Sequence, residues 1–400
     1  MLKASNTSIE EAMRLFNGAG VATGLLVPTE TGCRKSIMDA TLSFRDFLHE
    51  SGIHEYSNQS QGPANKVIVP ARFVLPDKCV ATTASLYRPC TKKGDPRIWF
   101  SKLTHYCKPT DLLAVISYGG DMYVFNMSNK EITNAFGIPG SYPHDILSAC
   151  AETISPIAKE LLDKLREIHK KGFVQGISHG DTNVGVTLEH LIGIPPNSLK
   201  TPDYKGIELK SSRGELKKKT SSSKKVTLFT NTPDWKRSKF SAAEILKHFG
   251  YAGEHGPCQL YCTVSNIPNA QGLFLDASNE IDLVNKAKTE YYSGDVAVWA
   301  LETLKARLSE KHKETFWVQA DCKVCDGKEF FQYNIVKHTR KPNTSNIGSM
   351  FDAGIITLDY AMYLKKSGGV RDHGYLFRTT REKMKHIFPL ERVYDLSHAV

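Results

Sequence analysis

The chain has 400 residues, 40% of them apolar and 10% aromatic, which is ample for a folded core and suits two or three domains. Its formal net charge of +10, from 52 Lys and Arg against 42 Asp and Glu, fits a polyanionic partner. No run of about eighteen apolar residues occurs and MLKASNTSIEEAMRLF lacks a signal-peptide core, so no membrane span and a cytoplasmic location are expected. Nine cysteines form no framework spacing and are expected to be reduced thiols.

In chain order, Thr7 and Glu10 predict a capping box that opens a short amphipathic helix ending at Gly18. Short β-rich runs follow at Val21–Pro28, Lys66–Val69, Phe73–Leu75, Ala84–Tyr87, Arg97–Phe100, Leu112–Ser117 and Met122–Phe125. One helix, about Ser36 to Ser51, interrupts them. This spacing predicts a compact barrel or sandwich. Between Tyr87 and Trp99, Arg88, Lys92, Lys93 and Arg97 form a basic hairpin with aromatic neighbours, which Arg34, Lys35 and Arg45 extend. That composition suits nucleic acid and equally suits a plain surface hairpin. Met127 to Asp145 has the composition of a linker. From Ser148, Ile154, Ile157, Leu161, Leu165 and Ile168 recur at helical spacing until Gly172, with Glu160 pairing Lys164.

The stretch from Asp181 to Arg213 carries the densest chemistry. Val186, Leu188, Leu191 and Ile192 predict a short helix ending at Gly193, and it presents Glu189. Asp203, Glu208 and Lys210 then form a D-x4-E-x-K pattern. Ile207 to Lys210 reads as a strand entered through a turn at Gly206. Residues two apart face the same way, so Glu208 and Lys210 share one face while Ile207 and Leu209 point inward. Two carboxylates make a hard-oxygen pocket suited to Mg2+. An adjacent ammonium can hold or activate a water against phosphorus, and Glu189 would bring a third carboxylate. Alternating charges also arise on plain solvated strands. The run from Lys200 to Lys225 holds nine Lys and Arg against three acids, as a loop suited to phosphates or simply to solvent.

Beyond it, Val226–Thr230 is expected as a third strand beside this one. Ser241–Phe249 reads as a helix, Leu260–Val264 with Leu273–Leu275 as a strand pair, and Val296–His312 as a helix. Trp317–Val324 and Glu329–Ile335 read as a hairpin turning at Asp326-Gly327. Ile355–Lys365 reads as a further helix. Cys258, Cys262, Cys322 and Cys325 have a spacing that zinc would accept, although ordinary strand cysteines account for them better.

The series G-x-T-L-E-x-L-x-G-I from Gly185, then Asn197, then P-D-Y-x-G-I-E-L-K-S-x-R from Pro202 resembles the MvaI/BcnI restriction endonucleases, relatives of the MutH nickase among the PD-(D/E)XK nucleases. The resemblance runs from about Ser148 to Phe388 and includes Phe330, Phe331, Tyr333 and Asn334. It implies an α/β (α+β) fold, a mixed sheet flanked by helices, for a nuclease domain at 148–400. The first 140 residues are loosely similar to the pseudobarrel effector domain of EcoRII-type enzymes. They are expected to form a β-rich domain that binds DNA. The resemblance further implies a type II site-specific deoxyribonuclease that cuts double-stranded DNA at a short GC-flanked site of the CCNGG kind. It would act as a monomer alongside a cognate DNA methyltransferase. Asp203, Glu208 and the Leu209 carbonyl would bind Mg2+, Lys210 would orient and deprotonate water, and Glu189 would contact water at the metal or a second ion. Arg213, Lys217, Lys218 and Lys219 are expected to contact DNA. Arg371, Asp372, His373 and Arg378 are expected to read it. His338 and Arg340 are further candidates, with His338 favoured as a surface ion pair. A MutH-like nicking enzyme and a DNA-binding protein with an inactive nuclease fold stay open. Removal of residues 1–140 is expected to leave some cleavage and to alter its dependence on DNA with two sites.

Overall fold

The computed structural model describes residues 5–151, 154–194, 202–214, 225–254 and 256–398. Lys217, Lys218 and Lys219 lie outside the described residues, as do Asn197, Lys200 and Lys224. The chain folds into two compact units, each assembled from three separated segments. One comprises residues 1–151, 224–311 and 343–388; the other comprises 152–223, 312–342 and 389–400. This partition differs from a single boundary between residues 140 and 148.

The first unit contains a nearly closed, barrel-like sheet of seven strands. Their spatial order is Gly24–Leu26, Leu113–Tyr118, Asp121–Asn126, Val67–Val74, Cys79–Tyr87, Arg97–Phe100 and Ile37–Asp39. Lys66–Val69 and Phe73–Leu75 prove to be one strand, Val67–Val74, with Pro70 on an exposed position inside it. The helix expected at Ser36–Ser51 is shorter, Leu42–Glu50, capped by Thr41; Ile37–Asp39 joins the sheet and Glu30–Lys35 forms a separate helix. The first helix is capped by Ser5, whose hydroxyl accepts from the Ser8 amide, rather than by Thr7. The expected linker holds two helices, Lys130–Ala135 and Tyr142–Ala151.

The same unit holds a second sheet, in the order Lys225–Thr230, Leu376–Thr380, Thr357–Leu364, Gly256–Val264 and Tyr251–Gly253, with Val370–Asp372 beside Thr357–Leu364. Several expectations change here. Lys225–Thr230 pairs with Leu376–Thr380, not with the strand of Glu208. Gly256–Val264 pairs with Thr357–Leu364, which is a strand and not a helix. Leu273–Asp276 pairs instead with Asp282–Lys288, in a three-stranded sheet completed by Ser293–Ala300. The helix begins only at Leu301 and runs to Lys311. Ala242–Phe249 is helical, with a capping box between Ser241 and Glu244. One continuous core joins the N-terminal side chains Phe16, Ile116 and Phe125 to Trp299, Tyr360 and Phe377. Buried polar bonds reinforce it, including Asn17 Nδ2 to the His386 carbonyl at 2.7 Å and Asn346 Nδ2 to the Thr23 carbonyl at 2.6 Å.

The second unit is built on a sheet in the order Arg392–Asp395, Lys328–Thr339, Thr315–Cys325 and Glu208–Arg213, with Val174–Gln175 beside Lys328–Thr339. Two helices cover it. Ser155 caps Pro156–Lys170, which buries Ala158, Leu161, Leu162, Leu165 and Ile168 at helical spacing. Asn183–Ile192 ends at Gly193, whose φ of 88° is left-handed. The central hairpin turns on Asp326 and Gly327, with φ of 51° and 71°, as a two-residue turn of this hand requires. The exposed Cys322 and Cys325 lie on its first strand, while Cys258 and Cys262 belong to the other unit; all are free thiols. Among the described residues, no helix is long and apolar enough to cross a membrane.

Candidate active site

The Glu208–Arg213 strand is entered through a tight turn. Tyr204 and Ile207 exchange backbone hydrogen bonds at 2.9 and 2.8 Å, and Lys205 and Gly206 between them both have positive φ. Tyr204 and Ile207 are buried, so the turn is pinned to the core. Glu160 braces it from the neighbouring helix. Its carboxylate accepts from Tyr204 Oη at 2.8 Å and Lys205 Nζ at 2.7 Å, and the charge of Lys164 acts on it from one turn along the helix.

The strand lies at the end of its sheet and pairs parallel with Thr315–Cys325, Glu208 opposite Thr315 and Lys210 opposite Trp317. The Glu208 amide donates to the Glu314 carbonyl and the Gly214 amide to the Ala320 carbonyl, both at 2.8 Å. In a parallel ladder this phase commits the backbone groups of Glu208, Lys210 and Ser212 to the neighbouring strand. The amide and carbonyl of Leu209 therefore point to the open side. Asp203 meets that amide, with Oδ2 accepting from it at 2.8 Å.

Glu189 stands half-buried on the Asn183–Ile192 helix. Burial first, and then the charge of Asp203, push its carboxyl above the usual glutamate range. Asp203 thus presents a carboxylate at the strand edge beside the outward-directed Leu209 carbonyl, and its charge reaches Glu189. This hard-oxygen donor set suits a divalent cation. Glu208 is turned to another partner, with its carboxylate 3.6 Å from Lys313 Nζ. Lys210 is exposed, its ammonium 5.2 Å from the centre of the Trp317 ring. Among the described residues, no group of three or more His, Cys, Asp or Glu side chains is gathered as a metal cluster.

Arg213 has a local partner. It makes a two-pronged pair with Glu329 at 2.9 Å for both bonds, and reaches the carbonyls of Gly180 and Asp181. Glu329 also accepts from Asn183, so Arg213 ties the strand to the start of the helix that carries Glu189. His338 is not on the surface; it is 2% exposed, with Nε2 2.8 Å from Glu314.

In the other unit, Arg371 and Asp372 are exposed on the Val370–Asp372 strand, and the Asp372 carboxylate accepts from the Gly374 amide. His373 follows them, its ring 6.0 Å from that of Tyr363. Arg378 donates to Asp359 at 2.9 Å, and Asp359 also holds Lys225 at 3.1 Å and accepts from Thr263 at 2.7 Å. In the loop between Cys79–Tyr87 and Arg97–Phe100 of the N-terminal sheet, Lys92 and Lys93 are exposed. Arg88 instead ties its own loop through the carbonyls of Gly94 and Gln59, and Arg97 lies 3.6 Å from Asp39. No local pattern marks Lys313 as the partner of Glu208 or Trp317 as the partner of Lys210. Only the parallel register reveals both.

A family model described as the MvaI/BcnI restriction endonuclease family matches residues 162–388. Among solved structures, the chain is similar to the restriction endonuclease MvaI in complex with its cognate DNA substrate, at 22% identity over 61% of this chain and 100% of that one, with a TM-score of 0.33. It is also similar to MvaI in the absence of DNA, at 22% identity over 60% and 99%, with a TM-score of 0.38. No curated protein matches.

Proposed function

The chain belongs to the MvaI/BcnI restriction endonuclease family and is a site-specific DNA nuclease, and from that premise we propose how its own residues cut and read double-stranded DNA. Hydrolysis is Mg2+-dependent, at a short GC-flanked site of the CCNGG kind. Asp203, Glu208 and the Leu209 carbonyl would hold the cation. When bound, it would stabilise charge developing on the phosphate oxygens and lower the pKa of the attacking water. The observation that carries this reading is the Asp203 carboxylate held at the open strand edge by the Leu209 amide at 2.8 Å, beside the outward-directed Leu209 carbonyl.

Lys210 stands on the same strand, two residues beyond Glu208. Its ammonium orients the water and, once deprotonated at Nζ, accepts its proton. The Trp317 ring limits how far that flexible side chain wanders. Glu189 keeps the water or a second cation in place. Tyr204, Ile207 and Glu160 keep the entry turn rigid, so that Asp203 stays against the strand.

Arg371, Asp372, His373 and Arg378 read base edges, arginine being suited to guanine by a bidentate contact. Arg213 and the Lys217–Lys219 run contact the backbone. The N-terminal sheet, through Lys92, Lys93, Arg88 and Arg97, supplies a second DNA-binding or effector surface. The protein works as a monomer, with a cognate DNA methyltransferase protecting the host sites.

The test is digestion of a sequenced plasmid with Mg2+, followed by run-off sequencing of the ends. Discrete double-strand breaks at one short GC-flanked sequence are expected. Nicks alone, or no cleavage at any divalent-cation concentration, would refute this reading.

A further inference from the structure

Lys313 is a partner for Glu208 that none of the roles above uses. The parallel register sets the residues before Thr315 alongside the start of the Glu208 strand, and the bond from the Glu208 amide to the Glu314 carbonyl fixes that placement at 2.8 Å. On the far side of the same residue, the Glu314 carboxylate is held by buried His338 at 2.8 Å. Lys313 therefore projects from an anchored backbone. Its ammonium lies 3.6 Å from the Glu208 carboxylate, and the two side chains are 31% and 25% exposed.

That separation exceeds the roughly 2.7–2.9 Å of a charge-assisted hydrogen bond, so the contact is mainly coulombic. Partial shelter keeps it from being fully screened. A doubly charged cation carries twice the attraction and can take the same carboxylate from a lysine.

We propose that Lys313 is a positioning residue that occupies Glu208 while no divalent cation is bound and yields it when one arrives. Lys313 thereby lowers the metal affinity of the DNA-free protein. This inference rests on the reading of Glu208 as a metal-holding group. Each cation that binds must first displace an ammonium already paired there. The displaced ammonium, no longer neutralised by Glu208, is then left to face the phosphate.

The experiment is calorimetric titration of Mn2+ into the full chain without DNA. Lys313→Met is expected to bind Mn2+ about two- to fivefold more tightly than wild type, the fold-change that a pair of this kind supports. Lys313→Gln, closer in length and polarity, is held to the same expectation should the methionine variant fold poorly. Lys313→Arg keeps the charge and should stay near wild type. Glu208→Gln should weaken binding, and adding Lys313→Met to it should restore nothing. If Glu208→Gln weakens binding while both neutral Lys313 variants leave it unchanged or weaker, the role of Lys313 is overturned and the metal site stands. If Glu208→Gln binds Mn2+ as well as wild type does, the metal-site reading itself fails.

Discussion

Trp317 stands opposite Lys210 in the parallel ladder, and the lysine ammonium lies 5.2 Å from the centre of its ring. The ring is itself fixed, since its indole N–H donates to Thr339 Oγ1 at 3.0 Å. A cation over an aromatic face is worth about 0.5–1 kcal/mol at a part-exposed site. Trp317→Leu should therefore slow single-turnover cleavage about two- to fivefold while DNA binding is little changed. Trp317→Phe should keep most of the rate. An unaltered rate for Trp317→Leu would mean that the ring does not position the lysine.

Asp203 has two separable tasks. One oxygen accepts from the Leu209 amide, and its charge acts on Glu189. Asp203→Asn keeps an acceptor and removes the charge; Asp203→Ala removes both. Each should lower cleavage by about 10²–10⁴, the scale of a lost metal contribution. Only the alanine variant should also lose stability, by about 0.5–1.5 kcal/mol, for the hydrogen bond lost from the Leu209 amide. Chemical denaturation of both variants separates the tasks.

The raised carboxyl of Glu189 predicts a pH dependence. The folded protein holds that proton more tightly than the unfolded chain does. This contribution to stability is fully present below the ordinary glutamate pKa of about 4.3, and is lost as pH rises through the raised value. A divalent cation needs the charged form, so the increase in Tm that it produces should grow with pH across the same window. Glu189→Gln should flatten that growth. Melting curves with and without Mn2+ between about pH 4.5 and 8 provide the measurement.

The residues proposed to read bases differ in what holds them. Arg371 is exposed, whereas Arg378 is committed to Asp359 together with Lys225. Arg371→Ala should cost about 1–3 kcal/mol of discrimination at one base pair and relax the site there. Asp359→Asn should weaken binding to all sequences, because it loosens two cations together. Competition binding against single-base variants of the site distinguishes the patterns.

Deleting residues 1–140 would strip Phe16, Ile116 and Phe125 from a core they share with Trp299 and Phe377. The truncated chain should aggregate instead of cutting with altered site dependence. Neutralising Lys92 and Lys93, both exposed, is the sound test of a second DNA surface. Equal cutting of one-site and two-site plasmids by that variant and wild type would dispose of it.

The strand of Glu208 was legible because turn, alternation and charge coincide within a few residues. Ile207 and Leu209 are buried and Lys210 is exposed, as the alternation implies. The helix carrying Glu189 was equally plain from its apolar spacing and Gly193. Thr357–Leu364 misleads although it keeps a two-residue rhythm, with Leu358, Tyr360 and Met362 buried between half-buried Thr357, Ala361 and Tyr363, because buried Ile355, Ile356 and Asp359 blur it into an unbroken covered run. Val296–Leu301 misleads likewise, since an unbroken apolar run fits strand or helix. The partner of Lys225–Thr230 lies about 150 residues away, beyond any local pattern. Lys313 and Trp317 were invisible for the same reason: their meaning comes from which strand lies next to them.

The unit that carries Glu189, Asp203 and Lys210 is woven from three stretches separated by the segments of its companion, and its last strand, Arg392–Asp395, comes from the third of them. Translation delivers that strand only after the whole companion unit has left the ribosome. A nascent or prematurely terminated chain thus lacks one border of this sheet, so the second unit can close only after the first is fully synthesised.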